Sequence, residues 1–220
     1  MCTALVTGFA GYGGRGRNPS GEIARAVDDK IIAGLRVAGR VLPVSYVSLQ
    51  SALQNLLTEL KPRVVISLGL WPGEPVIRLE RVGINVADFE IPDNKGAYIT
   101  DAKVSENGAS AALATLPLRA VEEDLLAAGI PARVSSTAGT FLCNATLYTI
   151  ASLAQTMRPL PLVGFIHVPY LHEQVADLLR TLREERKLEL HQRADLASMD
   201  LATMVRSVEL AIAATQKALT

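Results

Sequence analysis

The sequence has little of what marks nucleic-acid-binding and membrane proteins. Only 5% of its 220 residues are aromatic, and 22 Lys and Arg residues balance 22 Asp and Glu residues, so the formal net charge is zero. Nucleic acids and anionic membranes are held by basic surfaces, and single-stranded nucleic acids also by aromatic stacking platforms. No apolar run approaches the ~18 to 20 residues that a transmembrane helix needs. The composition therefore predicts neither a nucleic-acid partner nor a membrane partner.

The chain also has few cysteines and no recognisable targeting signal. Its two cysteines, Cys2 and Cys143, give no disulfide framework of the kind that small secreted proteins use. The N-terminal stretch MCTALVTGF leads directly into an apolar strand and lacks the charged segment and cleavage site of a signal peptide. These features predict a cytoplasmic protein in a reducing compartment, with Cys2 as a bystander thiol.

What the sequence does contain is an alternation of apolar strands and amphipathic helices. With 49% hydrophobic residues and no linker dividing the chain, it predicts a single α/β domain over residues 1–220. The predicted strands are 4–7, 35–44, 63–69, 132–136 and 160–170, and the predicted helices are 19–29, 49–60, 118–128, 173–183 and 201–212. The strand 63–69 is almost continuously apolar, which is typical of a parallel sheet covered on both faces. The polar residues 187–194 predict a linker or a helix end.

The segment 76–85 alternates between apolar and charged side chains. Ile77 and Leu79 point to one face of the predicted strand, and Arg78 and Glu80 point to the other. Because charged side chains are rarely buried without partners, Glu80 and Arg81 are expected at the surface from this pattern alone.

Cys143 is the first candidate for chemistry. It lies in the stretch SSTAGTFLCNATLYTI, residues 135–150, which predicts a strand end, a short turn and a helix with Cys143 in its first turn. A helix N-terminus carries free N–H groups and a partial positive charge, so it should lower the pKa of the thiol and could hold an oxyanion. His167 stands near the C-terminal end of a buried strand, where sites form in such sheets. Each residue also has an ordinary alternative: a small core cysteine and a structural histidine.

Other kinds of site fit the residues less well. Three histidines, His167, His172 and His191, form no close cluster with cysteine, so a metal site is not expected. The chain has no GxSxG motif of a serine hydrolase. The glycine-rich loop from Gly8 to Gly16 follows a strand and precedes a helix, but it lacks GxxxxGK[ST] and a clean dinucleotide fingerprint. A Cys–His pair remains the most economical prediction, and it needs no metal or cofactor.

Four stretches, in order and in register over almost the whole chain, resemble the pyroglutamyl peptidase I family of cysteine peptidases. The first runs from LVTGF at 5–9 through Gly13 and Gly14 to NPS at 18–20. The others are ERVGIN at 80–85 with IPDNKG at 91–96, AGTFLCN at 138–144, and GFIHVPYL at 164–171. The resemblance implies a three-layer α/β/α sandwich with a mostly parallel sheet, close to the nucleoside phosphorylases, and a homo-oligomer, commonly a tetramer.

The resemblance further implies a catalytic triad: Cys143 as nucleophile, His167 as general base and Glu80 as the acidic member that orients it. The implied substrates are peptides with an N-terminal pyroglutamyl residue. Because that group is a neutral lactam with no α-ammonium, its pocket should be apolar, should lack an acidic anchor for an amine, and should offer hydrogen bonds to the ring N–H and C=O. The predicted walls are Phe9, Tyr12, Phe141 and Leu142, with core packing as the alternative for Phe141.

The chain departs from the family pattern in two loops. Where the family commonly has Gly-Phe-Glu-Pro-Phe-Gly-Gly, this chain has GFAGYGG at 8–14, which predicts a more mobile loop that closes over substrate. Equal loop mobility with and without pyroglutamate would contradict that. Where the family often has Gly-x-Ala-Gly-Gly-Arg, this chain has GLWPGE at 69–74, so a basic residue becomes Glu74. Two alternatives therefore stay open: a nucleoside- or phosphate-binding protein that uses the Gly8–Gly16 loop, and a catalytically silent relative.

Overall fold

Nine strands and six helices lie within residues 3–186 and 196–219, the ranges that the computed structural model describes. In chain order they are β1 (Thr3–Phe9), α1 (Pro19–Val27), β2 (Ile31–Ile32), β3 (Leu35–Leu42), α2 (Tyr46–Leu60), β4 (Val64–Leu70), β5 (Ile77–Glu80), β6 (Val82–Ile84), β7 (Ala111–Leu113), α3 (Leu118–Ala127), β8 (Ala132–Ser135), α4 (Leu142–Ala154), β9 (Leu162–Val168), α5 (His172–Glu184) and α6 (Leu201–Lys217). Cys2, His191 and the predicted linker 187–194 lie outside the described residues.

Seven of the strands form one mixed sheet in the order β2-β3-β1-β4-β9-β5-β8. The strands β3, β1, β4 and β9 are parallel to one another. The pair β5 and β8 is parallel within itself but runs antiparallel to β9. In a separate two-stranded sheet, β6 pairs with β7. The β9 strand therefore joins the large parallel part of the sheet to the smaller pair beside it.

Helices cover both faces of the large sheet. One core contains Ile23 of α1, Val121 of α3 and Val208 of α6, packed on one face. The other contains Leu53 of α2 and Ile150 of α4, packed on the opposite face. These layers confirm the predicted α/β class, because both faces of the central strands are buried as their apolar sequences indicate.

The segment 76–85, whose alternation indicated a strand, is not one continuous strand. It divides at Arg81: β5 joins the large sheet, whereas β6 joins the small one. Arg81 is exposed, as expected. The surface expectation for Glu80 is wrong, because this side chain is 0% exposed. Its charged partners, described below, explain how it can be buried.

One helix start is set by local sequence, and another is set by a residue far away in the chain. Asn18 caps α1, and its side chain accepts a hydrogen bond from the Ser20 backbone N–H, with Pro19 at the first helical position. Helix α2 begins at Tyr46, three residues before the predicted start, and its N-cap Ser45 makes no side-chain capping bond. Instead the Asp93 carboxylate accepts from the Tyr46 N–H at 2.7 Å. The cap of α2 thus comes from a distant loop, which a local pattern cannot predict.

Candidate active site

The centre of the candidate site is His167, near the C-terminal end of β9. Its neighbour on β4 is Gly69 and its neighbour on β5 is Arg78. Because side chains on paired strands share a face in register, Glu80 lies diagonally across from His167 on the same face as Arg78. The antiparallel direction of β5 is what brings both of its charged residues to this end of the sheet.

Glu80 and His167 form a buried hydrogen bond. The distance from His167 Nδ1 to Glu80 Oε1 is 2.8 Å, and the two side chains are 0% and 1% exposed. When Glu80 is a carboxylate, Nδ1 must carry the proton that is donated to it, which leaves Nε2 as the lone-pair nitrogen. The ring is also packed by Trp71 and Phe165, whose centroids lie 4.9 and 4.8 Å away. Its orientation is therefore fixed on several sides.

Cys143 is the second residue of α4, in the first turn as predicted. Phe141, the N-cap of α4, makes no side-chain capping bond, so it leaves the first N–H groups of the helix without a side-chain acceptor. The neighbouring Asn144 anchors the helix: it accepts from Ile84 N at 2.8 Å and donates to the Ile84 and Val86 carbonyls at 2.9 and 2.8 Å. The start of α4 is thereby held against β6.

Gly69 gives the thiol its place above the sheet. A Cβ at this position would lie 2.7 Å from Cys143 Sγ and 2.8 Å from Phe165 Cζ, closer than real Cβ contacts come. Since Gly69 is the β4 neighbour of His167, the sulfur lies directly above the strand beside the histidine. Among the described residues no hydrogen bond joins the thiol to the imidazole, so the two groups meet through the cavity between them.

A cavity of about 370 Å³ opens at this point. It is lined by both candidate reacting groups and by all four side chains that the sequence predicted as walls, namely Cys143, His167, Phe9, Tyr12, Phe141 and Leu142. The Tyr12 and Phe141 ring centroids are 6.3 Å apart. The structure thus brings together every predicted site residue, with Glu80 behind His167. It adds Trp71 and Arg15 as further lining residues.

The electrostatic setting of the thiol contradicts the sequence-based expectation. Burial, together with the negative charge of Glu80, raises the pKa of Cys143 to about 12. The sequence predicted a lower pKa from the helix N-terminus, but desolvation outweighs that partial charge here. Burial also lowers the pKa of His167, against the opposing effect of its bond to Glu80. Both shifts favour the uncharged forms of the thiol and the imidazole.

A buried ion-pair cluster surrounds the Glu80–His167 pair, and sequence reasoning missed it. Arg78 donates to Glu80 Oε1 at 3.0 Å and to Glu74 Oε2 at 3.1 Å, with both partners buried. Arg133 also donates to Glu74 Oε2, at 2.8 Å. The signal that could have revealed it was the i, i+2 pair Arg78 and Glu80 on one strand face.

The glycine-rich loop is organised by packing. A Cβ on Gly8 would collide with the backbone of Ser20 in α1, so this glycine allows the strand and helix to approach closely. Asn18 Nδ2 donates to the Ala10 carbonyl at 3.0 Å, and Asn94 Nδ2 donates to the Gly11 carbonyl at 2.8 Å. The Ser20 N–H at the start of α1 is already bonded to Asn18, which speaks against a phosphate site there. Closure of the loop over substrate stays a prediction.

The remaining candidates for chemistry lie elsewhere. His172 Nδ1 is 2.9 Å from Ser198 Oγ in an exposed contact. No group of three or more His, Cys, Asp or Glu side chains within the described ranges could hold a metal ion. None of the helices described here combines the length and apolar character that a membrane crossing requires.

Comparison with known proteins extends over nearly the whole chain. A family model described as pyroglutamyl peptidase matches residues 2–218. The pyrrolidone-carboxylate peptidase of Thermococcus litoralis is 39% identical over 213 residues, which cover 96% of this chain and 92% of the relative. That of Chromobacterium violaceum is 44% identical over 174 residues, or 79% of this chain and 80% of the relative. These matches confirm the resemblance seen in the four motifs.

Solved structures give the same result for the fold. The pyrrolidone carboxyl peptidase of Thermococcus litoralis superposes with a TM-score of 0.91 at 38% identity, covering 100% of this chain and 95% of that one. A mutant pyrrolidone carboxyl peptidase of Pyrococcus furiosus also has a TM-score of 0.91, at 34% identity, covering 99% and 100%. The layered architecture is therefore shared with these proteins from end to end.

Proposed function

The chain belongs to the pyroglutamyl peptidase family, and on that premise we propose that it is a cysteine peptidase that removes an N-terminal pyroglutamyl residue from peptides. Cys143 is the nucleophile, His167 the general base and Glu80 the residue that orients His167. One observation carries the proposal: Cys143 and His167 line the same cavity, and Glu80 binds the ring nitrogen of His167 at 2.8 Å. That arrangement is the nucleophile, base and orienting group of covalent catalysis.

The reaction follows from the neutral resting pair. His167 Nε2 takes the thiol proton as Cys143 Sγ bonds to the pyroglutamyl carbonyl carbon, and the carbonyl oxygen becomes an oxyanion. The free N–H groups at the start of α4 stabilise that charge. The C–N bond then breaks, and the imidazolium gives its proton to the leaving amine. Water cleaves the thioester with His167 again as base, releasing pyroglutamate and restoring the thiol.

Proton transfer at the moment of attack suits a thiol that is neutral at rest. Because the pKa of Cys143 is about 12, a free thiolate is scarce at neutral pH. Attack therefore depends on His167 accepting the proton, and Glu80 stabilises the imidazolium that results. Each general acid or base step supplies a rate factor of about 10² to 10⁴.

Selectivity for the pyroglutamyl group has a physical basis in the cavity walls. The aromatic side chains of Phe9, Tyr12 and Phe141 offer apolar faces to a small neutral ring. Asp88 and Glu90 also line the cavity, but both are exposed at its rim. A site that hydrogen-bonds the lactam should reject proline strongly, because proline lacks the ring carbonyl and leaves the site's polar groups unpaired.

The test is release of a reporter amine from a pyroglutamyl-linked substrate, with the prolyl-linked analogue as the control substrate. We expect cleavage of the first only, and loss of that cleavage by more than about 10³-fold in Cys143→Ala. Cys2→Ala is the matched control and should keep full activity. A folded, reduced parent protein that cleaves neither substrate would contradict the proposed function and favour the catalytically silent alternative.

We also propose that the protein acts in the cytoplasm as a homo-oligomer, either a dimer or a tetramer. The support for the location is the free Cys143 thiol, which a reducing compartment preserves. The support for assembly is the family resemblance together with large exposed apolar side chains, among them Leu113 on β7 at 62% exposure. Light scattering on the purified protein tests the assembly, and a monomer at micromolar concentration would contradict it.

A further inference from the structure

Arg78 is a buried cation that the proposed chemistry does not use. It is 5% exposed, and each of its three guanidinium nitrogens donates a hydrogen bond. The acceptors are Glu80 Oε1 at 3.0 Å, Glu74 Oε2 at 3.1 Å, and Ser135 Oγ and the Thr137 carbonyl at 2.7 and 2.8 Å. Burying a cation is costly unless it is fully partnered, and this one is bonded on every side.

The guanidinium and the imidazole share a single acceptor atom. Glu80 Oε1 accepts from Arg78 Nε at 3.0 Å and lies 2.8 Å from His167 Nδ1. The other oxygen, Oε2, is buried and has no hydrogen-bond partner in the part of the chain that the structure describes. The position of the carboxylate that orients His167 is therefore set by Arg78. The same oxygen that Arg78 holds is thus the one that faces His167 Nδ1.

Arg78 also contacts the second group that holds the imidazole. Its guanidinium carbon lies 3.8 Å from the centre of the Trp71 ring, a close cation–π contact. The Trp71 ring in turn meets His167 nearly edge-on, at 79° between ring planes. One side chain thus supports His167 by two routes, through a carboxylate and through an aromatic ring.

The charges of the cluster balance only while His167 is neutral. Glu74 and Glu80 contribute two negative charges, and Arg78 and Arg133 contribute two positive charges. A protonated His167 would add a fifth charge beside Arg78, on the neighbouring position of the paired strand. Arg78 therefore opposes protonation of His167, whereas Glu74 and Glu80 favour it.

We propose that Arg78 is a positioning residue of this site: it fixes Glu80 against His167 Nδ1 and keeps His167 as the neutral base from which catalysis starts. The proposal rests on the function proposed above. Arg78 touches neither the cavity surface nor the reacting atoms, so it acts through Glu80 and Trp71.

A pH dependence follows from the groups that face His167. On the sheet side and the α4 side they are Arg78 and Glu80 of β5, Glu74 of the loop before β5, Arg133 of β8 behind Glu74, and Cys143 of α4. Across the cavity they are Tyr12, Arg15, Asp88 and Glu90. On the β4 side the neighbour is Gly69, which carries no charge. Removing Arg78 should make His167 easier to protonate, and removing the charge of Glu74 should make it harder.

Four variants test this: Arg78→Met, Arg78→Lys, Glu74→Gln and, as the matched control, Arg81→Met at the exposed neighbouring arginine. The readout is the acid limb of the pH profile of kcat/KM, which reports protonation of the free enzyme's base. We expect the midpoint of this limb to shift to higher pH by about one unit in Arg78→Met and to lower pH in Glu74→Gln. Arg78→Lys should move it by less than half as much as Arg78→Met, and Arg81→Met should leave it unchanged.

The histidine ring signals in NMR give a readout that does not depend on turnover. The titration of His167, assigned by its absence in His167→Gln, should shift in the same directions in the same variants. A folded Arg78→Met protein whose His167 titrates as in the parent would overturn the proposal. If Arg78→Met does not fold, Arg78→Lys decides, and a folded Arg78→Lys protein whose His167 titrates as in the parent would overturn the proposal. An inactive parent whose His167 shifts as expected would reject the proposed function and leave the role of Arg78 intact.

Discussion

Gly69 is a residue of the candidate site at which the fold leaves no room for a side chain. An added Cβ would lie 2.7 Å from Cys143 Sγ and 2.8 Å from Phe165 Cζ. Either the sulfur or the ring must move, and both are part of the candidate site. This glycine is required because of the contact between a strand and the Cys143 thiol, and no unusual backbone angle is involved.

We therefore expect Gly69→Ala to damage activity more than stability. Overpacking of this kind costs about 1 to 3 kcal/mol in unfolding free energy, while a displaced nucleophile lowers kcat/KM by about 10²-fold. Urea unfolding and substrate kinetics measure the two effects. Gly16→Ala is the control, since a Cβ there meets nothing within 4 Å. An equal loss of kcat/KM in Gly69→Ala and Gly16→Ala would contradict the assignment of this space to the thiol.

The raised pKa of Cys143 predicts how the free enzyme reacts with an alkylating agent. Below a pKa of about 12 the thiolate fraction rises tenfold with each pH unit, so the rate of reaction with iodoacetamide should climb throughout pH 7 to 9. A plateau near neutral pH would show a resting thiolate–imidazolium pair instead. Mass spectrometry that follows the Cys143 peptide, with the Cys2 peptide as internal reference, makes the measurement.

At the scale of residues, the sequence showed which residues form the candidate site, but it did not show how buried or how charged their surroundings are. The motifs singled out Cys143 and His167, and the structure places both at one cavity. Glu80 by itself looked like a surface charge, because the burial of β5 inside the sheet, which gives the pairing with Arg78 its weight, is tertiary. The direction of the thiol pKa was wrong for the same reason: the helix N-terminus is visible in the sequence, but the burial that outweighs it is tertiary.

At the scale of elements, the loop 91–96 connects three parts of the site's framework. Asp93 accepts from the Tyr46, Lys95 and Ala97 N–H groups at 2.7, 2.8 and 2.9 Å, so it both shapes its own turn and caps α2. The next residue, Asn94, holds the Gly11 carbonyl of the glycine-rich loop. This part of the family motif therefore has a structural role, in contrast to the role proposed for Glu80 in the same motif.

Asp93→Ala should lower the unfolding free energy by about 2 to 3 kcal/mol, because it leaves three N–H groups without their charged acceptor. Burial alone would raise the pKa of Asp93, but the N–H groups that donate to the carboxylate hold its pKa below the ordinary value. Because the pKa of Asp93 is lower in the folded state than in the unfolded state, its carboxylate stabilises the fold at pH values above the unfolded-state pKa. That stability is lost as the pH falls through the folded-state pKa. The difference in unfolding free energy between the parent and Asp93→Ala, measured by urea denaturation, should thus be smaller at pH 3 than at pH 7.

Element boundaries were predicted where the signal is local and missed where it is not. Asn18 and Pro19 marked the start of α1 correctly, and α3 begins at Leu118 as expected. The start of α2 was missed because its cap comes from Asp93. The short strands β2 and β7 were not anticipated, because two or three residues carry no periodic pattern.

At the scale of the whole molecule, Trp71 is a built-in reporter. It is the single tryptophan of the chain, and it follows β4 in the middle of the sheet order. Its backbone N–H donates to the Val168 carbonyl at 3.0 Å. Because the site is attached to the central strands, its unfolding and that of the helical layers should be one event. Trp71 fluorescence and far-UV circular dichroism should give the same urea midpoint. An earlier fluorescence transition would show a site that opens independently.

The place of β9 in the sheet has a consequence for how the molecule is made. This strand lies between β4 and β5, yet it leaves the ribosome some eighty residues after β5, as its bounds of 162–168 against 77–80 show. Until it inserts, the strands β2-β3-β1-β4 and the pair β5-β8 share no backbone hydrogen bonds. The growing chain then holds a thiol and a carboxylate but no base. On the roles proposed above, the nascent protein therefore has no complete site until its own synthesis is nearly complete.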